Sequence, residues 1–520
     1  MRASWGVFSL FLAVLPNFAF GQTRVHSNRV RVSAATPFTA GCNGQQNGVV
    51  YSNGEVEPWI AVDPTNASHL VGVWQQDRWS TGGANGLLTG VSWDSGRTWT
   101  RTFAHFSRCS GGSPSNNGNF DRSSDPWVTF TPDGKVFQIS YSFNQGNVNQ
   151  AILVSRSLDG GMTWEEPVAV LHDTASGITD DKESITADPT DANYVYAVWD
   201  RLTGSSTGNP SDFHGPVWFS RTTDGGATWE AARAIYDPGP DTQTIGNQIL
   251  VLPDGTLIDV FTLIRNAIAT TANPSSIFVA VIRSTDHGET WTPAIIVSTS
   301  QAVGVSDVKT GAGIRSGGVL VSAAVDQVSG ALYTVWQDAR FSNGQRNGIA
   351  FSRSTDGGFN WSEPIQVNQA PNVQAFVPAV AVGQNGNVAV AYYDFRNDTE
   401  DRNVLLTSYW REVSPDGGLT WHEGLIGGPF DMTKAPIATG AGFFVGDYEG
   451  LVPYGNGFLS FFVTAESAAG DPTNVYAAAS EAQPPPHLTQ RVEVNRVRLR
   501  LEEETVPGAK TTVPRHSKQR

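Results

Sequence analysis

Charge is scarce in this chain: only 16% of its 520 residues are Asp, Glu, Lys or Arg, and the balance is acidic, with a formal net charge of -15. A nucleic-acid partner needs a basic footprint that displaces counterions from phosphates, so that class of function is excluded. Cysteine is nearly absent. Cys42 and Cys109 alone allow one disulfide or two buried thiols, and exclude a disulfide framework or a cysteine-rich zinc module. His172, His214, His287 and His422 are scattered without ligand spacing, so no metal and no cofactor is expected. No GxSxG element or Walker loop stands in a strand-and-helix context. Beyond the N-terminus no apolar run is long enough to cross a bilayer, so no stable membrane insertion is expected.

That N-terminus reads as an export signal over residues 1–21. Arg2 is followed by an apolar run from Trp5 to Phe20, with Ala19 and Gly21 as small residues before Gln22. A secreted or periplasmic protein is expected, in which Cys42 and Cys109 can pair. At the other end, past Pro484 to Pro486, the stretch is rich in Arg, Glu and Lys and poor in aromatics. Residues 483–520 therefore read as a disordered tail, leaving 22–482 as the folded domain.

What the chain has in quantity is glycine (54), proline (29) and tryptophan (16), a turn-rich all-β composition. Seven of the tryptophans belong to one octapeptide. It reads SWDSGRTW from Ser92, SLDGGMTW from Ser157, TTDGGATW from Thr222, STDHGETW from Ser284, STDGGFNW from Ser354 and SPDGGLTW from Ser414. The aspartates Asp94, Asp159, Asp224, Asp286, Asp356 and Asp416 are spaced 65, 65, 62, 70 and 60 residues apart, the mark of a repeat array. Each Asp can accept hydrogen bonds from its own turn, the Ser or Thr two residues earlier can close the loop, and the Gly two residues later supplies a positive φ. The closing Trp brings a large apolar surface to pack between strands.

Between the octapeptides an apolar hairpin recurs, starting near Glu57, Asp125, Glu183, Asn247, Gly318, Val377 and Glu449. Each repeat then reads as four antiparallel strands, with the octapeptide joining the third to the fourth and the fourth beginning at the Trp, which is a β-propeller blade. The seventh unit has no octapeptide. Its missing strand can come from His26 to Ser33, closing the ring, so seven blades are favoured. Six is the alternative if the Glu449 unit only decorates the edge.

In such a ring the first strands line a central channel, and the residues before them share a rim with those after the second strands. The octapeptides face the other way and are scaffold. The rim gathers Glu57, Asp125, Asp181, Lys182, Glu183, Asn247, Gln248, Asp447, Tyr448 and Glu449 with the pairs Asp77/Arg78, Asp200/Arg201, Asp338/Arg340 and Asp394/Arg396. Carboxylates there suit acid and nucleophile work on a glycosidic bond, and arginines suit an anionic ligand. The bland alternative makes the Asp and Arg pairs salt links between blades. It weakens for Glu57, Glu183 and Glu449, which have no Arg neighbour in sequence. Arg315, in GAGIRSGG, sits on a glycine-rich loop of the same rim.

The octapeptides resemble the Asp-boxes, or BNR repeats, of the sialidase superfamily, over nearly the whole span 57–479. The resemblance implies an exo-acting glycosidase in which three arginines hold a sialic acid carboxylate, a Tyr assisted by a Glu is the nucleophile, and an Asp is the acid/base. It makes Arg201, Arg340 and Arg396 triad candidates, Tyr448 with Glu57, Glu183 or Glu449 the nucleophile group, and Asp125 the acid/base. Arg78, Arg315, Asp447 and Gln248 complete the candidate substrate contacts. The chain departs from the family at its first blade, where Glu57, Pro58 and Trp59 stand in place of an Arg-Ile-Pro motif. The expectation is an exported, sialidase-like glycoside hydrolase that cleaves terminal, anionic sugars from a glycan or glycoconjugate. The alternatives are a non-catalytic propeller that binds glycan or protein and, third, a polysaccharide lyase.

Overall fold

The computed structural model describes residues 28–204, 209–270 and 274–480. The expected export signal and charged tail lie outside these residues. By contacts the chain divides into 1–482 and 483–520, and every described strand belongs to the first of these.

Most of the described strands fall into seven groups. Unit 1 comprises Val50–Val62, Leu70–Trp79, Ala84–Ser92 and Thr100–Thr102. Unit 2 comprises Arg122–Phe130, Val136–Phe143, Gln150–Ser157 and Val168–Asp173. Unit 3 comprises Ile178–Ala187, Val195–Thr203, Val217–Thr222 and Arg233–Tyr236. Unit 4 comprises Thr242–Val251, Leu257–Arg265, Ser276–Ser284 and Ile295–Thr299. Unit 5 comprises Val321–Val325, Leu332–Asp338, Gly348–Ser354 and Ile365–Gln366. Unit 6 comprises Ala375–Val382, Val388–Asp394, Leu406–Ser414 and His422–Asp431. Unit 7 comprises Gly450–Tyr454, Gly457–Ala465 and Thr473–Ser480, and the last of these pairs antiparallel with Asn28–Arg31.

Within each unit the strands pair antiparallel in chain order. The first strand of every unit lies beside the first strand of the next, and that of unit 7 lies beside that of unit 1. The fold is all-β and β-propeller-like. Fourth strands are shorter than the sequence suggests and begin after the octapeptide Trp, as at Thr100 and Val168.

The units are joined by side chains that reach forward to the next unit's backbone. Ser184 Oγ donates to Asn247 O (2.8 Å) and Thr186 Oγ1 to Ile249 O (2.9 Å). Gln248 bonds Val321 O and Ala323 N (2.8 and 3.1 Å), Thr129 accepts from Ala187 N (3.1 Å), and Ser322 accepts from Val380 N (3.2 Å). These bonds satisfy strand edges that would otherwise face the channel unpaired. Further out, Arg156 donates to Gly225 O (2.6 Å), Arg221 to His287 O (2.5 Å) and Arg353 to Gly417 O (2.9 Å), each acceptor lying in the next unit's octapeptide.

The octapeptides share one geometry. In the first, Ser92 Oγ donates to Asp94 Oδ1 (3.0 Å) and accepts from Gly96 N (2.8 Å), while Thr98 donates to Asp94 through its N (2.8 Å) and its Oγ1 (2.7 Å). The other five repeat the pattern, with Asn360 replacing Thr in the fifth. The backbone turns left-handed at two successive residues, so Ser95 (φ 68°) and His287 (φ 55°) carry strain where four other copies have Gly.

Hydrogen bonds from the Thr228 side chain and backbone hold Asp224 at about 2. Asp224→Ala is expected to cost about 1 kcal/mol, the worth of the lost bonds on an exposed turn, without touching the chemistry of a site at the far end of the strands. Because its carboxyl is depressed, that contribution is present above the unfolded pKa and is lost as pH falls through about 2. Denaturant melts of Asp224→Ala and the parent at about pH 7 and about pH 2 check both points.

Strand register separates the two ends of the array. Leu70 faces Val62 on one side and Ser92 on the other, so each octapeptide lies at the end where first strands finish. His69, in that first turn, stacks on Trp93 (3.6 Å between centroids) and bonds Gly160 O (2.9 Å) of the second octapeptide. A cavity of about 370 Å³ runs among the first strands. Among the described residues no helix is long and apolar enough to cross a membrane.

Candidate functional site

Five first strands carry a β-bulge at one shared position, five residues before the strand ends, and roughly 15 Å from the octapeptide end. The bulged backbone turns left-handed at Glu57 (φ 54°), Asp125 (φ 52°), Lys182 (φ 49°), Gly246 (φ 71°) and Val377 (φ 51°). Only Gly adopts that conformation freely. The other four store strain, which is common where a side chain is being re-aimed.

Three of these residues meet. Lys182 Nζ bonds Glu57 Oε1 (3.1 Å), Asp125 Oδ1 and Asp447 Oδ2 (3.0 Å). Gln75 donates to the other oxygen of Glu57 and to Ser124 Oγ (3.1 Å), and accepts from Arg78 Nη1 (2.6 Å). Arg315 closes on Asp447 through Nε (3.1 Å) and Nη2, a bidentate pair. Units 1, 2 and 3 and the segment leading into unit 7 thus converge on one ammonium group. Glu57, Asp125 and Asp447 are only 1%, 3% and 6% exposed. Asp181, beside Lys182, is half-buried, and among the described residues no cation closes on it.

The electrostatics divide these carboxyls. Burial, reinforced by the charges on Asp125 and Asp447 and opposed by Lys182, pushes Glu57 up to about 7. Burial and the Asp125 charge push Asp181 to about 6. Burial alone would raise Asp447 too, but Lys182 and Arg315 overcome it and hold Asp447 below its ordinary value. Protonated and ionised carboxyls therefore stand together near neutral pH.

Trp59 and Trp127 stack at 3.4 Å beneath the charges, with Tyr448 edge-on to both. They wall a small cavity of about 30 Å³, room for little more than a water molecule, that reaches Gly317, Leu320 and Pro378. They also border the longer channel cavity. Tyr448 Oη donates to Pro126 O (3.2 Å), and burial with the Glu57 and Asp125 charges raises its pKa well above the ordinary value. That environment keeps the phenol protonated.

Over Val56, at the charged end, lies a small sheet that the repeat pattern does not announce. It comprises Val305–Ser306, Gly313–Arg315, Gly442–Phe444 and Ile437–Ala438, with Gly313–Arg315 parallel to Gly442–Phe444. It delivers Arg315. A Cβ on Gly442 (φ 105°) would stand 1.8 Å from Gly313 O, so Gly442→Ala is expected to separate these strands and cost about 1–3 kcal/mol, read as a lowered Tm.

The predicted site residues divide into those the fold gathers and those it does not. Glu57, Asp125, Arg78, Arg315, Asp447 and Tyr448 come together. Glu183 and Glu449 adjoin them but are 2% and 0% exposed, bonding Tyr141 N and Val463 N (3.1 Å for the latter), and burial raises both well above the ordinary range. Gln248 is spent on unit 5. Arg201 bonds Asp180 (2.9 Å) and Asp173, not Asp200. Arg340 closes on Asp338 (2.8 Å) and Arg396 on Asp394 (2.6 Å) and Glu423 (2.7 Å). These three arginines form no common group. Arg78 is 3% exposed against Phe444, and Asp77 bonds Thr36, Asn53 and Asn85 in place of it. Cys42 and Cys109 are disulfide-bonded.

Lys182 and Asp181 stand on the rim named from sequence, yet nothing local marks them as central. The signal available was the alignment of Glu57-Pro58-Trp59 with Asp125-Pro126-Trp127 and Lys182-Glu183-Ser184 in successive first strands.

Residues 195–421 match the family model described as a BNR repeat-like domain. The match spans the third to the sixth octapeptides, in agreement with the resemblance those repeats carry. No curated protein matches it significantly. Similar solved structures include the Hadza microbial sialidase Hz136 (14% identity, 88% of this chain and 98% of that chain, TM-score 0.45). An α-L-arabinofuranosidase, Arb93A, from Fusarium graminearum gives 13% identity over 88% and 98% of the two chains, TM-score 0.43. A Penicillium chrysogenum α-L-arabinanase complexed with arabinobiose gives 15% over 70% and 95%, TM-score 0.44.

Proposed function

We propose that the protein is an exported glycoside hydrolase that removes terminal sugars at the charged mouth of a seven-bladed propeller. The observation that carries this reading is the division of one carboxyl cluster into raised and lowered members, with half-buried Asp181, at about 6, beside ionised Asp447. Glycoside cleavage needs a carboxylic acid to protonate the leaving oxygen and an anionic group to stabilise the oxocarbenium-like centre. Asp181 takes the first role. Asp447 and Asp125, with Lys182 setting their spacing, take the second.

Seven blades are supported by the cyclic order of first strands and by the ladder between Asn28–Arg31 and unit 7, which acts as the closing strand. The disulfide between Cys42 and Cys109 suits an oxidising compartment and supports export.

A panel of fluorogenic aryl glycosides, including a sialoside and an arabinofuranoside, tests the activity. Release of fluorophore that vanishes in Asp181→Asn supports it. A second reading, a propeller that binds glycan without turnover, draws on the way Lys182 and Arg315 already neutralise Glu57, Asp125 and Asp447. Silence across the panel with saturable glycan binding would establish that reading in place of the first.

A further inference from the structure

We propose that the mouth selects an uncharged sugar, in place of the sugar acid that the sialidase resemblance implies. This rests on the hydrolase reading for its site but not on turnover for its test. An anionic ring needs a cation free to receive it, and among the described residues each cation of the cluster is committed. Lys182 is shared among three carboxylates and is 8% exposed. Arg315 is engaged bidentately by Asp447. Arg78 is sealed against Phe444 with Gln75 as its partner.

The arginines at the equivalent repeat position are no substitute. Arg201, Arg340 and Arg396 are each bound to local carboxylates, and Arg201 and Arg396 hold two apiece. What the open side of the cluster offers a ligand is Asp181, a carboxyl on which no described cation closes, and the edge of Arg315, whose charge Asp447 already balances. A sugar carboxylate would meet like charge in a poorly solvated place. Hydroxyls suit the same groups as hydrogen-bond donors, and the longer channel cavity that Trp59 and Trp127 border offers an apolar wall to a neutral ring.

Titration calorimetry of the whole protein at about pH 7 with arabinose, galactose, glucuronic acid and N-acetylneuraminic acid tests this. At least one neutral sugar is expected to bind about 10-fold or more tightly than either acid. Asp447→Asn, which frees Arg315, is expected to gain about 10-fold or more for glucuronic acid. Tighter binding of either acid by the parent protein, or no binding of any of the four, overturns the proposal. If Asp447→Asn does not fold, the ranking by the parent decides alone. Neutral binding without turnover of any aryl glycoside would sink the hydrolase reading and leave this one standing. Turnover of sialoside or glucuronide alone would do the reverse.

Discussion

Lys182→Met is expected to destabilise the protein by about 3–5 kcal/mol at neutral pH, and the deficit is expected to shrink as the solution is acidified. Removing the ammonium leaves Glu57, Asp125 and Asp447 facing one another with almost no solvent. Even with Lys182 present, Glu57 is pushed up to about 7. Without the ammonium that opposes burial there, the Glu57 carboxyl rises further. Carboxyls raised in this way favour the fold below the unfolded pKa, at about 4, and that contribution is lost as pH climbs through the raised folded values. Thermal melts from about pH 4 to about pH 8 should therefore diverge from the parent progressively toward alkali. A uniform loss at every pH would mean that packing of the lysine stem, not charge, holds these units together. Lys182→Arg is a second probe, since it keeps the charge while changing its shape.

Asp181→Asn is expected to lower kcat by about 10²–10⁴-fold, the range for loss of a positioned proton donor, while leaving Tm unchanged or raised. With Asp181 at about 6, hydrolysis by the parent should decline as pH rises past that value, because the acid form is consumed. The parent's stability declines over the same range. A carboxyl raised on folding opposes the folded state once pH passes through about 6, so the neutral amide removes a penalty in alkali. Slower turnover with a higher melting temperature in alkali distinguishes a catalytic acid from a structural one. If kcat falls only in step with Tm, Asp181 is a support for Lys182 and the chemistry lies elsewhere.

The octapeptides were legible because their chemistry is local. Asp94 and its equivalents bond residues at most four positions away, a range that sequence displays directly. The rim was legible in part for the same reason, since residues at one repeat position share one height in the array. Repeat position also misled. Arg201, Arg340 and Arg396 looked equivalent, and Arg340 and Arg396 each close on the Asp two residues earlier, but Arg201 turns from Asp200 to Asp180 and Asp173, and Arg396 adds Glu423. Their environments differ because the strands and loops between repeats differ.

What sequence did not display was backbone hand. Nothing about Glu57, Lys182 or Val377 as residue types favours a left-handed backbone, though Asp125 tolerates it better, and only the bulge swings Glu57, Asp125 and Lys182 toward a common point. The small sheet was hidden for another reason. Gly313–Arg315 and Gly442–Phe444 belong to loops far apart in the chain, and their pairing depends on the ring that brings the loops together. The forward-reaching Arg156, Arg221 and Arg353, each next to an octapeptide, were in plain view but have meaning only once the next unit is in place.

The ladder in which Asn28 pairs with Ala479 has a consequence for how the protein can be tethered. Because Ser480 faces Phe458, near the turn that reaches Ser95, the described chain enters and leaves at neighbouring points on the face remote from Lys182. An anchor, a fused partner or a solid support attached at either point hangs from the same corner. The face that carries Lys182 is then turned away from whatever holds the molecule in place.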